Sequence, residues 1–183
     1  GNPFHPKWRL LNLASIPYPK DLRRWILDVG QGLKISSKEW LSLSEEITEL
    51  HAQAGLACDP KGHSALVGCH GQTVWHRPPT SSRRGASMQL LQGQLLAQLL
   101  NRSVIFDFRA ADIVLGGQGA PLAPKMDAAL LGQVNGWRAV LNLGGIANLT
   151  FIPPRVGPDR YAPSFGWDSG PANTLVDFAV ERI

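Results

Sequence analysis

Cysteine is scarce in this sequence, which has only Cys58 and Cys69 among its 183 residues. Two cysteines do not make the disulfide framework of a small secreted domain, and their scarcity favours a reducing compartment. No apolar run approaches the length of about 18 residues that a membrane-spanning helix needs, and no basic-plus-apolar leader pattern opens the chain. The composition therefore predicts a cytoplasmic protein with no membrane partner.

Charged residues are also few, at 17% of the chain, and the formal net charge of +4 is spread along its length. A mildly basic surface explains that charge better than a dedicated anion site does. The sequence has no arginine-rich helix, no basic-aromatic stripe and no zinc-finger spacing, so we expect no nucleic-acid partner. A hydrophobic content of 44% is ordinary for a globular protein.

A glycine-rich turn between two apolar runs is the first motif that indicates chemistry. Residues 139–143 and 149–152 favour β-strands, and Gly144, Gly145 and Asn148 lie between them. These residue types tolerate positive φ, so the pattern predicts a β-hairpin whose turn presents bare N–H groups. Such a turn can receive phosphate oxygens. An ordinary glycine turn without a ligand fits the same residues and stays open.

An acid follows in residues 166–173, which read Gly-Trp-Asp-Ser-Gly-Pro-Ala-Asn. This composition predicts a loop that carries Asp168, followed by a helix with Asn173 or Thr174 as its N-cap. The helix dipole would favour the ionised carboxylate. A hairpin, an acid and a helix start together suit phosphoryl transfer. An aspartate that only fixes a turn is the alternative.

Alternating strands and helices along the rest of the chain predict an α/β protein. Strands are expected at 8–16, 64–68 and 103–106, helices at 21–30, 37–50, 88–100 and 121–131, and loops at 55–63 and 78–85. The strand at 64–68 should be buried. It should deliver the polar segment 69–73 at its carboxyl end, where α/β sheets place ligands.

Two histidines, His70 and His76, flank Gln72 and Thr73 in this polar segment. A metal site would need a third ligand at suitable spacing, and Cys69 beside His70 would point to the opposite face of a strand. We therefore expect no metal site made by the protein. A polar loop that hydrogen-bonds the hydroxyls and amides of a sugar fits these side chains better.

Five segments, in this order, resemble the anhydro-N-acetylmuramic acid kinase family of the actin, hexokinase and heat-shock-ATPase superfamily. They are Cys-His-Gly-Gln-Thr-Val-Trp-His at 69–76, Asp-Phe-Arg with Asp-Ile at 107–113, Gly-Gly-Gln-Gly-Ala-Pro-Leu at 116–122, Leu-Asn-Leu-Gly-Gly-Ile-Ala-Asn at 141–148, and Asp-Ser-Gly-Pro-Ala-Asn at 168–173. The resemblance is dense from Leu66 onwards and loose before it. It implies a ribonuclease-H-like, two-lobed α/β fold of the actin–hexokinase type. Residues 1–112 would belong to the first, sugar-binding lobe and residues 113–183 to the second.

The resemblance also implies a reaction. Water attacks the anomeric carbon of 1,6-anhydro-N-acetylmuramic acid, the 1,6-anhydro bridge opens, and O6 takes the γ-phosphoryl group of ATP. The product is N-acetylmuramic acid 6-phosphate, formed during peptidoglycan recycling. The implied cofactors are ATP and Mg²⁺, with the ion bridging phosphate oxygens and held mainly through water. A homodimer of the full-length protein is compatible with this resemblance.

Roles for single residues follow from the same resemblance. Asp168 would be the base that removes a proton from the attacking water. The implied substrate-binding residues are His70, Gly71, Gln72, Thr73, Asp107 and Arg109, with the Arg109 fork on carboxylate or phosphate oxygens. The residues implied to approach the ATP phosphates are Gly144, Gly145, Asn148 and Gly170. Without the resemblance, Asp107 and Arg109 would be interpreted as an ion pair at a strand end.

The sequence also departs from the family pattern. Phe106 stands where glycine is expected, Ala110 and Ala111 stand where arginines are expected, and the family's first phosphate loop does not occur. The chain begins without methionine and stops inside the helix expected after Asn173. We therefore expect it to be incomplete at both ends and inactive alone. A non-catalytic sugar- or partner-binding module of the same fold is the alternative. An aspartate glycosidase, with Asp112 as its second carboxylate, is a weaker one.

Overall fold

The computed structural model describes residues 8–132 and 135–182. Contacts divide the described chain into two compact units, here called the first unit (residues 10–119) and the second unit (residues 120–182, with residues 8 and 9). Both units mix helices with small sheets, as predicted for an α/β protein. The lobe boundary suggested after Asp112 stays a prediction. Among the helices of the described residues, none is long and apolar enough to cross a membrane.

The first unit contains four helices and four short strands in its described part. They are α1 (Lys20–Gly30), α2 (Ser37–Cys58), β1 (Leu66–Gly68), β2 (Gln72–Arg77), β3 (Ala86–Leu90), α3 (Gly93–Leu100), β4 (Ser103–Ile105) and α4 (Ala110–Val114). Strands β1 and β4 pair in parallel, and β2 and β3 pair as an antiparallel hairpin. The predicted strand at 103–106 and the helix at 21–30 are therefore confirmed, each within one residue of its bounds.

Helix α2 begins as its sequence predicts. The Ser36 hydroxyl accepts a hydrogen bond from the Glu39 N–H, and the Glu39 carboxylate accepts one from the Ser36 N–H at 2.6 Å. This reciprocal capping box satisfies two backbone donors at the helix start, and the hydrogen bonds from Ser36 lower the pKa of Glu39. The helix continues to Cys58, so the loop expected from Gly55 begins only at Asp59.

The core of the first unit lies where α1 and α2 meet the β2–β3 hairpin. Its main buried cluster is Leu22, Ile26, Val29, Leu43, Ile47, Val74 and Leu90. Leu43 and Ile47 are completely buried. A second cluster of Ala52, Cys69 and Leu96 links α2 to α3. The helical spacing of the apolar residues in α1, read from the sequence, thus places them in the core.

Three predictions in the first unit are wrong. Residues 8–16 form no strand, and Leu11 in that segment is 79% exposed, because no other described strand pairs with it. The helix expected from Met88 begins at Gly93, since residues 86–90 pair with β2 instead. Strand β1 has the predicted position but is not buried, and Leu66 is 53% exposed.

The second unit is a three-stranded antiparallel sheet with two helices. Its elements are α5 (Ala123–Leu131), β5 (Arg138–Leu143), β6 (Ile146–Ile152), a 3₁₀ turn at Pro158–Tyr161, β7 (Phe165–Pro171) and α6 (Asn173–Val180), with strand order β5-β6-β7. The predicted hairpin at 139–152 and the helix at 121–131 are confirmed. Strand β7 replaces the loop expected around Asp168, because its backbone pairs with β6.

The two faces of this sheet differ. Thr150 and Ile152 are almost fully buried, and Gly166, which pairs with Thr150, lies so close to Pro124 of α5 that a Cβ there would approach the proline ring to 2.9 Å. Helix α5 therefore covers this face. On the opposite face the Phe151 ring stacks on the rings of Phe165 and Trp167, at centroid distances of 5.6 and 5.7 Å.

Candidate substrate and phosphate sites

The predicted sugar-binding residues of the first unit lie at the carboxyl ends of two paired strands. Gly68 of β1 is in register with Ile105 of β4, and the Cys69 N–H donates to the Ile105 carbonyl oxygen at 2.9 Å. Because the strands are parallel, both chains leave the sheet at the same edge. His70 and Asp107 follow directly, and both line one cavity of about 200 Å³.

His70 is held at both ring nitrogens. The Arg109 Nε–H donates to His70 Nε2 at 3.0 Å, and His70 Nδ1 lies 2.9 Å from the Gly71 carbonyl oxygen. Arginine can only donate, so Nε2 is the acceptor and the proton lies on Nδ1, where it is donated to Gly71. Arg109 also donates from Nη1 to the Gly119 carbonyl. The observed contacts of Arg109 thus fix the orientation and tautomer of His70.

Asp107 and Gly71 occupy the left-handed backbone region. Asp107 has φ of 57°, which is uncommon for a residue with a side chain and costs about 1 kcal/mol or more. Gly71 has φ of 74°, and a Cβ there would lie 2.8 Å from the Leu90 carbonyl oxygen. Position 71 therefore requires glycine for two independent reasons. His70, Phe106 and Asp107, which lie at these two turns, line the cavity.

Gln72 and Thr73 lie on strand β2, not in the loop that the sequence predicts, because residues 72–77 pair with β3. The Tyr18 hydroxyl donates to Gln72 Oε1 at 3.2 Å, and burial raises the pKa of that hydroxyl. Thr73 Oγ1 accepts from Gln89 Nε2 at 3.3 Å. These contacts within the first unit orient the side chains of Gln72 and Thr73, which are both proposed to bind the sugar.

Sequence reasoning missed two polar residues of the cavity, Ser87 and Gln89. Gln89 Nε2 donates to Ser87 Oγ at 2.6 Å, and Ser87 Oγ lies 3.1 Å from His76 Nδ1. The two residues alternate with Met88 and Leu90, which is the pattern of a strand. Reading residues 86–90 as a strand would have placed both on one face.

Phe106, which stands where the family pattern has glycine, packs against a glycine elsewhere. Its ring occupies the space beside Gly93, where a Cβ would lie 2.3 Å from a ring carbon. Phe106 also lines the cavity with His70 and Asp107. The absence of a side chain at Gly93 leaves room for the Phe106 ring, which forms part of the wall of the cavity.

Asp112 holds a loop. Its Oδ2 accepts a hydrogen bond from the Gly119 N–H at 2.7 Å, and a Cβ at Gly117 would lie 2.2 Å from the same carboxylate oxygen. The carboxylate therefore organises residues 116–119. This role accounts for Asp112 without the glycosidase chemistry that the sequence left open.

In the second unit, the glycine turn is tied to the start of α6. The Asn173 N–H donates to the Gly144 carbonyl at 2.9 Å, and the Asn173 Nδ2 donates to the Leu143 carbonyl at 2.9 Å. The Gly145 carbonyl accepts from the Thr174 hydroxyl at 2.8 Å and from the Ala172 N–H at 3.0 Å. The predicted side-chain cap is wrong, because both candidate side chains bond the turn instead of the helix.

Glycine has a different purpose in this turn from the one that the sequence suggests. Neither Gly144 nor Gly145 has positive φ. A Cβ at Gly145 would lie 3.0 Å from the Thr174 hydroxyl, so close approach is the reason for glycine there. Gly170, in contrast, has φ of +148°, a conformation that side chains disfavour.

Asp168 lies on β7 directly across from Asn148 on β6. Residues in register on neighbouring antiparallel strands project to the same face, so the carboxylate and the amide are neighbours. The pairing shifts between Ala147 and Asn148, and such irregularities re-aim side chains. Gly170 is in register with Ala147, and the Asp168 side chain is exposed. The second unit thus gathers the predicted base and the predicted phosphate-binding residues on one hairpin and its neighbouring strand.

Within 8–132 and 135–182, no three histidine, cysteine, aspartate or glutamate side chains gather in an arrangement that could hold a metal ion. The Thr174 hydroxyl contacts the glycine turn, and the Asp168 carboxylate and the Asn148 amide lie across from each other on β7 and β6. Oxygen donors of this kind suit Mg²⁺, which keeps several waters when it binds phosphates.

A sequence model described as anhydro-N-acetylmuramic acid kinase matches residues 4–183, which is nearly the whole chain. This chain belongs to the anhydro-N-acetylmuramic acid kinase family. The family has the actin- and hexokinase-like ATPase fold, in agreement with the mixed α/β architecture.

Curated relatives agree with this family. The chain is 68% identical to an anhydro-N-acetylmuramic acid kinase of Prochlorococcus marinus strain MIT 9313 and 67% identical to that of strain MIT 9303. It is 62% identical to a protein of the same description from Synechococcus sp. strain CC9902. Each alignment covers 100% of this chain and 48% of the relative, so the chain spans about half the length of the curated relatives it matches.

Proposed function

We propose that this chain forms part of an ATP-dependent kinase that opens the anhydro ring of 1,6-anhydro-N-acetylmuramic acid and phosphorylates O6. The observation that carries the proposal is the family match over residues 4–183, combined with the pairing of Asp168 and Asn148 beside the glycine turn. The product would be N-acetylmuramic acid 6-phosphate, and the role would be peptidoglycan recycling. As part of the same proposal, the enzyme works in the cytoplasm, and a homodimer of the longer protein stays a prediction.

In the first unit, His70 and Asp107 line the cavity at the ends of β1 and β4, and Gln72 and Thr73 lie on strand β2. Arg109 and Gly71 hold the ring of His70 in place. Gln72, Thr73 and Asp107 add acceptors and donors for hydroxyl and amide groups. Because these side chains are already oriented by the protein, binding would cost little additional conformational entropy.

In the second unit, the glycine turn and Gly170 allow phosphate oxygens to approach the backbone closely. Asn148 would contribute its amide beside them. ATP supplies the phosphoryl group, and Mg²⁺ supplies charge neutralisation at the phosphate oxygens. The oxygen donors of Asp168, Asn148 and Thr174 fit an ion that binds largely through water.

Asp168 is the proposed general base. Its carboxylate takes a proton from water while the water oxygen bonds to the anomeric carbon, and the bond between that carbon and O6 breaks. O6 then bonds to the γ-phosphorus, and the bond from that phosphorus to the β-bridging oxygen breaks to release ADP. An exposed carboxylate on a strand that pairs with β6 can be reached by water and directed by the strand, as a base requires.

The test uses a protein of the relatives' length that carries this chain, incubated with ATP and the anhydrosugar. Replacing Asp168→Asn keeps the size of the side chain and removes the base, so turnover should fall about 100-fold or more. Calorimetric titration with the sugar should still show binding. Asp112→Asn is the matched control, because its carboxylate holds a loop, and its turnover should fall far less.

Two outcomes would contradict the proposal. Undiminished turnover in Asp168→Asn would remove Asp168 as the base. Sugar binding without turnover in the unsubstituted protein would favour the non-catalytic module. The 183-residue chain alone should show no turnover, and phosphate transfer by it at the rate of the longer protein would refute that expectation.

A further inference from the structure

A second cavity lies in the second unit, at the end of β6 that is far from the glycine turn. Its volume is about 600 Å³, and Ile152, the last residue of β6, is in its wall together with Ala128 of α5. The glycine turn precedes Ile146, where β6 begins. A strand rises about 3.4 Å per residue, so the two places are separated by roughly 20 Å. This cavity is therefore distinct from the proposed phosphate contacts of ATP.

The charged side chains that line this cavity are all basic. Lys125, Arg155 and Arg160 all line it, and none of its described lining residues is acidic. Like charges that share a cavity repel one another, and an anion in the cavity relieves that repulsion. A low-dielectric wall strengthens the attraction, and Pro153 and Pro154 supply such a wall on one side.

Arg155 is the residue best placed to bind an anion. Its side chain is half-buried, and within the described residues no hydrogen bond or ion pair of its guanidinium is present. Nε and Nη2 both lie 3.3 Å from where a Cβ of Gly132 would be, so the guanidinium lies against the backbone at the end of α5. The competing explanation for this position is that the Arg155 guanidinium is attracted to the negative carboxyl end of the α5 dipole.

Neighbouring groups orient the Arg160 guanidinium without using all of its N–H donors. Its Nη1 donates to the Gly157 carbonyl and its Nη2 to the Tyr161 hydroxyl, both at 2.9 Å, and the guanidinium lies 4.1 Å from the Tyr161 ring centroid. A guanidinium has five N–H donors, so these two contacts leave others for a ligand. Arg160 can therefore bind an anion without losing the contacts that position it.

We propose that this cavity binds a phosphate monoester with a small apolar body. Arginine guanidinium matches a phosphate group through paired N–H donors. The volume exceeds that of a phosphate group and lies within the range of small-molecule sites, about 300–1,000 Å³. The side chains of Ala128, Ile152 and Pro154 give the ester an apolar surface on which to pack. This site is additional to the proposed kinase site and does not depend on it.

The test titrates the 183-residue chain with phenyl phosphate and follows the backbone amide signals by NMR. Saturable shifts are expected for residues 128–132, 155 and 160–164, and binding should weaken as salt rises. Benzyl alcohol, which has the ring without the charge, should cause no such shifts. Shifts confined to residues 143–148 and 168–174, or no saturation at all, would overturn the proposal.

Substitutions separate a built site from general attraction to a basic protein. Arg155→Gln should weaken phenyl phosphate binding about tenfold or more, and Arg155→Lys by less, since it keeps the charge and loses the fork. Arg24→Gln, an equal change of charge at an exposed position of α1, should leave the affinity unchanged. Equal losses in Arg24→Gln and Arg155→Gln would refute the site. If Arg155→Gln does not fold, Arg160→Gln serves instead, and unchanged affinity in that variant would also refute it.

Discussion

The two units of this chain differ in how they are packed. The first has two clusters of buried side chains, and Leu43 and Ile47 in its main cluster have no exposed surface. In the second, the described helices α5 and α6 contain no buried residue, and burial is concentrated on one face of the sheet. On the other face Phe165 is 46% exposed and Trp167 is 44% exposed.

This difference teaches that proposed binding residues can have defined positions in a unit that has little core of its own. Apolar burial contributes about 25 cal/mol per Å², so the first unit gains more stabilisation from its side chains. The second unit relies more on the backbone ladder of β5, β6 and β7 and on the bonds between its turn and α6. Segments with few buried contacts open at lower free energy. We therefore expect faster amide exchange in β5–β7 than in α2.

The strongest test of the comparison truncates one leucine in each unit. Leu43→Ala should cost about 3 kcal/mol or more of unfolding free energy, because Leu43 is completely buried. Leu141→Ala, at a position that is 57% exposed, should cost less than about 1 kcal/mol. Urea unfolding measures the free energies, and hydrogen exchange read by mass spectrometry assigns each loss to a unit. Similar losses in the two variants would mean that the contrast in packing is not a contrast in stability.

A smaller effect is expected from two glycines with positive φ. Gly71→Ala introduces a Cβ 2.8 Å from the Leu90 carbonyl oxygen as well as an unfavourable backbone, so it should cost about 2 kcal/mol or more. Gly157→Ala has the backbone penalty alone, about 1 kcal/mol, because φ is +86° and nothing lies within 4 Å. Thermal unfolding of both variants checks the order. A reversed order would show that the first unit yields more easily than its packing suggests.

The smallest effect concerns a partly exposed charge in the packed unit. The Ser64 hydroxyl, the Ser64 N–H and the His63 N–H all donate to Asp59, and these bonds hold the pKa of its carboxyl well below its usual range. A lowered folded-state pKa contributes stability above the unfolded pKa of about 3.9 and loses it as the pH falls.

Chemical unfolding at a series of acidic pH values tests this contribution. The unsubstituted chain should lose more stability than Asp59→Asn between about pH 5 and pH 2. The difference should be small, because the carboxylate is partly exposed and solvent screens it. Equal pH dependence in the two proteins would mean that the turn between α2 and β1 does not depend on the charge of Asp59.

Local signals made the correct predictions. Helix α2 begins at Ser37 as predicted, and the apolar runs around Gly144 and Gly145 form a hairpin between neighbouring strands. Both structures need only residues close in sequence, so composition and spacing were sufficient.

Predictions failed where pairing decided the structure. Asp168 lies among glycine, serine and proline, which favour a loop, yet backbone bonds to β6 make the segment a strand. Residues 88–90 are predicted as the start of a helix but pair with β2. Propensity is a weak prior that tertiary contacts override. In the candidate sites, the hydrogen bond from Arg109 to His70 could not be predicted from the sequence, because 39 residues separate the two in the chain.

Residues 172–174 donate hydrogen bonds to three successive carbonyl oxygens of the glycine turn. These bonds couple the glycine turn to the first turn of α6. A displacement of either segment that exceeds the distance range of a hydrogen bond must therefore move the other segment or break these bonds. A fluorophore on the exposed surface of α6 would therefore register an event at the turn without touching it.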